Sequence, residues 1–201
     1  MEEEQGQNVS RTRPLARCRG AAVLCAVLAL LLNGCADTRY AVDYVGTGAS
    51  ARQRVAVVPL ENLTNYPKAG LIVGELVASE LYRRQLFDLT EGTALRKALG
   101  GLDIEPADLA ESVGAAELAG RLGVDAVLVG SVSEYGYQHG LHEEPVVGIN
   151  LRLVGAAGEV LWAASHSTTG RGYIARDSVN AAAQRLVGEM VSILQSRVGA
   201  P

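Results

Sequence analysis

The sequence predicts an α/β fold, a single two-layer domain in which a mixed β-sheet packs against helices. Three observations lead to this prediction. Short valine-rich runs such as 54–60 and 126–132 are typical of buried strands. Longer segments such as 69–86 and 178–196 place apolar residues at helical spacing. Of the 201 residues, 48% are hydrophobic but only 4% are aromatic, so we expect a core of aliphatic side chains.

The first half of the domain is predicted as strand, helix, strand, helix, helix. The strand at 54–60 contains a proline near its end, and a polar loop rich in turn formers leads to the helix at 69–86. A short strand at 87–90 follows. A helix at 92–99 ends at two glycines, and a helix at 106–122 begins at a proline.

The second half is predicted as three strands and a final helix, which completes the order β-α-β-α-α-β-β-β-α. The strands lie at 125–137, 146–154 and 159–166. The last two form an antiparallel hairpin, because their apolar residues alternate and the glycine-flanked turn 155–158 joins them. The final helix at 178–196 carries one continuous apolar stripe.

The N-terminal segment has the pattern of a secretory signal peptide. Four arginines between positions 11 and 19 precede twelve consecutive apolar residues at 21–32. This run is shorter than the ~20 residues that span a bilayer, so an uncleaved membrane helix fits the segment less well.

Cys35 defines the type of signal more closely. The residues Leu32-Asn33-Gly34-Cys35 resemble a bacterial lipobox, in which the cysteine thiol takes the lipid and becomes the first mature residue. Asn33 departs from that pattern, because a smaller residue is usual there. The alternatives are an ordinary signal peptide or a buried cysteine. We expect residues 1–34 to be removed as the signal peptide and Cys35 to be the lipid attachment site.

The mature chain would then start at Cys35 and hold 167 residues with one cysteine. Its formal charge is −5, against −4 for the whole chain, because the first 34 residues hold four arginines and three glutamates. Neither value is the basic surplus of a nucleic-acid-binding protein, so no nucleic-acid partner is expected. One cysteine also excludes a disulfide framework.

The mature chain is predicted to have two parts. Residues 35–53 are predicted to be the lipidated cysteine and a flexible tether, because 36–53 shows no sustained periodicity and holds many small residues. Those eighteen residues reach at most roughly 60 Å at ~3.3–3.6 Å each. Residues 54–198 form the α/β domain.

No set of residues in the sequence requires an enzyme, a metal or a cofactor. His139, His142 and Glu143 are candidate zinc ligands, but their spacing is not that of a zinc-protease helix, and a solvated loop is the simpler interpretation. For His166 a hydrogen-bonded histidine on a strand is the simpler interpretation. Nucleophile-elbow and Walker motifs are absent from the sequence. We therefore expect a protein that is not an enzyme and uses no cofactor.

A candidate partner or oligomer surface consists of Tyr135, Tyr137, Glu143 and Glu144. The two tyrosines follow a buried strand, and tyrosine is enriched at protein interfaces. The alternative is that both rings cap the edge of the sheet, and the sequence leaves the two interpretations open. An acidic loop repeated around a ring would attract a cationic polymer through its field.

Three segments carry a family resemblance. Residues 54–65, 122–135 and 149–165 resemble, in the same order, the family of bacterial lipoproteins that includes CsgG, LpoB and PelC, together with the amino-terminal domain of TolB. The resemblance covers nearly all of the mature chain and implies the fold predicted above. It also implies structural rather than catalytic roles for the matching residues. These are Pro59, Asn62, Gly130, Ser131, Gly158 and Glu159, and Ala157 departs from the family at a threonine position.

The departures indicate which relatives are nearest. CsgG itself carries long insertions that form a transmembrane barrel, and the connections here are too short for such strands. LpoB-type regulators use a long tether, for which eighteen residues are too few. PelC-type lipoproteins are compact and form a ring under the outer membrane, so they fit best in size and tether.

The resemblance therefore implies an outer-membrane lipoprotein whose domain lies in the periplasm. It would be an assembly or accessory component of envelope export or biogenesis, such as polysaccharide or curli-like secretion, and would form a homo-oligomer or bind an envelope protein. The alternative is an LpoB-like regulator that binds a peptidoglycan synthase. Outer rather than inner membrane is expected because Ala36, and not an aspartate, follows the cysteine.

Overall fold

A mixed β-sheet of seven strands is the frame of the protein in the computed structural model. The structure describes residues 39–90, 92–100, 112–139, 143–169 and 177–198. The strands are β1 (Arg39–Val45), β2 (Arg54–Val57), β3 (Glu61–Asn62), β4 (Asp88–Leu89), β5 (Ala126–His139), β6 (Glu143–Gly155) and β7 (Val160–Thr169). The helices are α1 (Ala69–Arg84), α2 (Gly92–Leu99), α3 (Ser112–Leu122) and α4 (Val179–Val198).

The sheet has the order β1-β7-β6-β5-β2-β4, and β3 lies beside β5. The neighbours of β6 are antiparallel to it, whereas β2 is parallel to both β5 and β4. The predicted mixed sheet with helices is therefore confirmed. The predicted strand 54–60 ends as β2 at Val57, two residues before Pro59, because proline has no N–H to donate to a ladder. The short strand β3 lies in the segment predicted as a polar loop. The predicted start of α3 at residue 106 lies outside the described residues.

Helices α1 and α4 cover one face of the sheet. Val73, Val77 and Leu81, at the predicted helical spacing, are fully buried against it. Trp162 lies beneath the same helices and is also fully buried. Aliphatic side chains make up most of the rest of this core, as the composition predicted.

Helices α2 and α3 cover only part of the other face. Leu95 and Leu118 pack there against Val127 and Val129, in a second and smaller core. In the described part of the chain no helix covers the same face of β1 and β7. One corner of the sheet is thus left uncovered.

The prediction of a flexible tether at 35–53 is wrong for the residues of β1. This strand pairs with β7 along its whole length, from Arg39 opposite Thr168 to Val45 opposite Trp162. The physical reason is an alternation in the sequence Arg39–Val45. Tyrosine and valine, which favour strands, lie on one face at every second position, and the other face turns toward the core.

The segment between Cys35 and the fold is therefore shorter than the predicted tether. Three residues, 36–38, lie between Cys35 and β1, and the four steps from Cys35 to Arg39 span about 14 Å at ~3.3–3.6 Å per step. After β1 the chain stays on the domain, since the Gly46 N–H donates to the Leu161 carbonyl at 2.9 Å and the Arg52 N–H to the Leu86 carbonyl at 3.0 Å.

Residues that the family resemblance singled out have structural roles. A Cβ on Gly130 would lie 2.0 Å from the Asn150 carbonyl oxygen, so only glycine lets β5 and β6 approach this closely. Gly158 makes the β6–β7 turn with a φ of 89°. Asn62 holds the loop after β3, donating to the Tyr66 carbonyl at 2.9 Å and accepting from the Thr64 hydroxyl at 2.8 Å.

A polar cluster joins the two helices that cover the main face. Arg84 donates to Glu80 on its own helix at 2.6 Å and to Gln195 of α4 at 2.8 Å. Arg83 also donates to Glu80, at 2.7 Å. Because Arg83 and then Arg84 stabilise the carboxylate, the pKa of Glu80 falls from 4.5 to about 2.

This cluster predicts how stability depends on acid. A carboxylate whose pKa is lower in the folded state stabilises the fold above its unfolded pKa, and this contribution is lost as the pH falls toward its folded pKa. Between about pH 5 and pH 2 the free energy of unfolding should therefore fall more steeply for the wild type than for Glu80→Gln. Urea unfolding across that range measures this. Glu117→Gln, which removes an exposed pair with Arg121, is the control and should follow the wild type. Parallel loss of stability in wild type and Glu80→Gln would contradict the prediction.

Candidate interaction surfaces

Tyr135 lies in the core of the monomer. Its side chain is only 5% exposed, and its ring meets that of Tyr66 edge to face, with centroids 4.9 Å apart. Its hydroxyl donates to the side chain of Asn180 in the first turn of α4. Burial raises the pKa of Tyr135 above its ordinary 10.0, which keeps the hydroxyl protonated as a donor. The prediction that Tyr135 belongs to an exposed partner surface is therefore wrong, and the capping interpretation describes this residue.

Tyr137 caps the edge of the sheet and is also exposed, so it has features of both interpretations drawn from the sequence. Its hydroxyl accepts a hydrogen bond from the Val179 N–H at 3.4 Å, so it also fixes the start of α4 to the sheet. Its side chain is nevertheless 45% exposed. Glu143 is exposed and Glu144 half-buried on the adjacent end of β6. Contact of Tyr137, Glu143 and Glu144 with a partner stays a prediction.

Of the candidate zinc ligands in the same hairpin, only the side chain of Glu143 is among the described residues. His142 and the side chain of His139 are not among the described residues. Within the described residues, no three histidine, cysteine, aspartate or glutamate side chains lie close enough to hold a metal ion.

His166 is a buried, hydrogen-bonded strand histidine, as predicted. It is 3% exposed, and its Nε2 lies 2.7 Å from Oδ2 of Asp43 on β1. Sequence reasoning missed Asp43 because it had assigned this segment to the tether. The alternation of large strand-forming residues with other residues around Asp43 was the signal that would have placed Asp43 on a strand. A second link, between Arg39 and Glu189 of α4 at 2.7 Å, holds the start of the strand.

The uncovered corner of the sheet exposes a row of large side chains on β1. Tyr40, Val42 and Tyr44 are 60%, 50% and 56% exposed. Val42 and Tyr44 line a shallow depression of about 310 Å³, and we call the row together with this depression the open face. The other residues that line the depression are Gly130, Ser131, Asn150, Leu151, Arg152, Ala163, Ala164 and Ser165.

The depression of the open face is mainly apolar and contains a short polar network. The Ser165 hydroxyl donates to the Asn150 side chain at 2.7 Å, and Asn150 donates to the Ser131 hydroxyl at 3.4 Å. Arg152 is the one charged side chain among the lining residues. Aromatic side chains and arginine with few other charges are typical of protein interfaces.

A second candidate surface lies at the opposite edge of the sheet, between α1 and α2. This α1–α2 groove has a volume of about 270 Å³, below the roughly 300–1,000 Å³ of small-molecule pockets. Leu71 and Tyr82 on its rim are 46% and 50% exposed. The other lining residues are Val57, Val58, Pro59, Gly74, Glu75, Ala78, Leu89, Thr90, Gly92, Leu95 and Leu99. Its size suits an inserted side chain of a partner better than a free substrate.

The described helices are too short or too polar to span a bilayer. Within the described residues, no helix is long and apolar enough to cross a membrane.

Comparison by sequence finds no match. No protein-family model matches the sequence, and no curated protein matches it.

Solved structures do match. PelC from Paraburkholderia phytofirmans, solved as a dodecamer, is 25% identical with a TM-score of 0.59, and the match covers 80% of this chain and 99% of that one. The lipoprotein GNA1162 from Neisseria meningitidis is 21% identical with a TM-score of 0.53, over 73% of this chain and 97% of that one. The C-terminal domain of LpoB from Salmonella enterica is 22% identical with a TM-score of 0.44, and the match covers 62% of this chain and 87% of that one.

The predicted resemblance to PelC-type lipoproteins is therefore confirmed for the fold. The likeness to LpoB is too distant to carry an argument, and the resemblance to CsgG itself stays a prediction.

The pair of Asp43 and His166 leads to a prediction about β1. Asp43→Ala leaves the buried imidazole without its partner, which should cost about 1–3 kcal/mol of unfolding free energy. It should also speed hydrogen exchange at the amides of β1 while those of β5 and β6 stay protected. Asp43→Asn, which keeps the size and an acceptor oxygen, should have a smaller effect. Unchanged stability and unchanged exchange in Asp43→Ala would show that this pair does not hold the strand.

Proposed function

We propose that this chain is a lipoprotein of the bacterial outer membrane that forms a ring in the periplasm. Its role is that of a non-enzymatic assembly or accessory component in envelope export or biogenesis. The observation that carries the proposal is the likeness to PelC over nearly the whole of that chain, because that protein assembles as a dodecamer.

The short connection to Cys35 supports the membrane anchor. Since only residues 36–38 separate the cysteine from β1, a lipid on Cys35 holds the domain directly beneath the bilayer. Two acyl chains, at ~0.8 kcal/mol per buried methylene, give a stable attachment.

The sheet register indicates which end of the domain faces that bilayer. Arg39, where the chain enters the fold, pairs with Thr168 at the end of β7. Thr169 in turn pairs with Val146 of β6, and the β5–β6 hairpin continues past this point to the pair His139 and Glu143. The hairpin with Tyr137, Glu143 and Glu144 therefore lies at the anchored end.

The alternative function, a regulator that reaches a peptidoglycan synthase, is less well supported. A lipoprotein of the outer membrane needs a long flexible segment to reach an enzyme held at the other membrane. The reach of about 14 Å from Cys35 to β1 is far shorter than the roughly 60 Å expected when 36–53 was taken as a tether. An assembly held close to its own membrane fits this geometry better.

Lipid labelling and mass measurement test the proposal. The full-length chain, expressed in a bacterium with two membranes, should incorporate labelled palmitate and fractionate with outer membranes, whereas Cys35→Ser should do neither. Native mass spectrometry after detergent extraction should give a multiple of the lipidated subunit mass.

Three results would contradict the proposal. Absence of label would remove the anchor, and a mass of one subunit would remove the ring. A monomer that copurifies with a peptidoglycan synthase would favour the regulator.

A further inference from the structure

The two candidate surfaces lie at opposite edges of one sheet. The open face is centred on β1, the first strand in the sheet order, and the α1–α2 groove lies beside β4, the last. Six strands in sequence place these edges about 24 Å apart at ~4.8 Å per neighbour. A contact between unlike edges is heterologous, so it leaves a free copy of each surface and can continue from subunit to subunit.

The two surfaces also complement each other in shape and charge. The open face presents a projecting row of Tyr40, Val42 and Tyr44, whereas the groove is a concave channel of mixed polar and apolar lining. Arg152 is the one charged side chain lining the depression of the open face, and Glu75 is the one charged side chain lining the groove. A head-to-tail contact therefore brings charges of opposite sign together.

Two copies of the open face complement each other less well. A symmetric contact of two open faces brings Arg152 toward Arg152 of the other copy, and an isologous contact of this kind closes at two subunits. It also leaves the exposed Leu71 and Tyr82 of the groove in water.

The membrane anchor favours the side-by-side arrangement. Copies held by three residues below one bilayer share one orientation, and confinement to the membrane raises their effective concentration. The sheet register places Tyr44 level with Val129 of β5, and Val57 of the groove is level with the adjacent Leu128. The Tyr44 end of the row and the neighbouring groove therefore lie at a similar depth.

We propose that the open face of one copy docks into the α1–α2 groove of the next copy, head to tail, with Tyr40, Val42 and Tyr44 as the inserted row. This inference rests on the proposed function for the alignment of the copies at the membrane, and it identifies the surfaces that join them.

Cysteine cross-linking in membranes distinguishes the arrangements. The full-length chain with Cys18→Ser and Cys25→Ser is the parent, and Val42→Cys and Leu71→Cys are added separately and together. With a short bis-maleimide, the double variant should give a ladder of covalent dimers, trimers and larger species. Each single variant should give no covalent species when expressed by itself, and the two single variants should give only covalent dimers when they are coexpressed. Covalent dimers from Val42→Cys alone would overturn the inference in favour of a symmetric contact.

Charged substitutions provide an independent measurement. Tyr44→Asp and Leu71→Asp should each reduce the assembly to single subunits in native mass spectrometry, because each replaces a large side chain of the contact with a short carboxylate. Leu63→Asp, at a residue that is 57% exposed and lines neither surface, is the matched control and should keep the wild-type mass. Thermal unfolding shows whether each variant is folded.

The outcomes separate this inference from the proposed function. A ring that survives both charged substitutions and gives no ladder would overturn the head-to-tail contact while the ring stands. A dye on Val42→Cys that is quenched by spin-labelled phospholipid would place the open face on the bilayer and would also overturn the contact. A wild-type chain with the mass of one subunit would remove the ring and this inference together.

Discussion

The pairing of β1 with β7 is the interaction on which the position of the whole domain depends. It joins the segment next to Cys35 to the edge of the sheet over seven residues, and the buried contact between Asp43 and His166 fixes it from the core side. A buried imidazole without a partner is costly, so the register that keeps these two side chains together is preferred. Because β1 belongs to the sheet, the lipid that we propose for Cys35 would keep the domain close to the membrane.

The same pairing creates the open face. In a strand, alternate side chains point to opposite faces, so burying Asp43 toward the helices necessarily turns Tyr40, Val42 and Tyr44 outward. Helices α2 and α3 cover the far half of that face and leave this corner uncovered. Exposed tyrosines on an edge strand are an unusual surface for a monomer, and a second copy of the chain provides a way to cover them.

Most of the fold could be predicted because its helices and central strands have strong periodic patterns. The stripe of Val73, Val77 and Leu81 and the β6–β7 hairpin are examples. β1 was missed because glycines and small residues follow it, and its pairing partner lies more than 100 residues away in the sequence. Tyr135 was misplaced for a similar reason, because its burial depends on Tyr66 and Asn180 from two distant segments. Local patterns predict elements, whereas the candidate surfaces depend on which elements meet.

We propose that the domain starts almost at a lipid on Cys35. Neutron reflectometry of the lipidated chain on a supported bilayer measures this most directly, because it gives the depth of protein density below the headgroups. Compact density should begin within about 14 Å of the bilayer surface, since only residues 36–38 intervene between Cys35 and β1. A hydrated gap several times wider, with the domain density diffuse beyond it, would contradict the claim and restore the flexible tether.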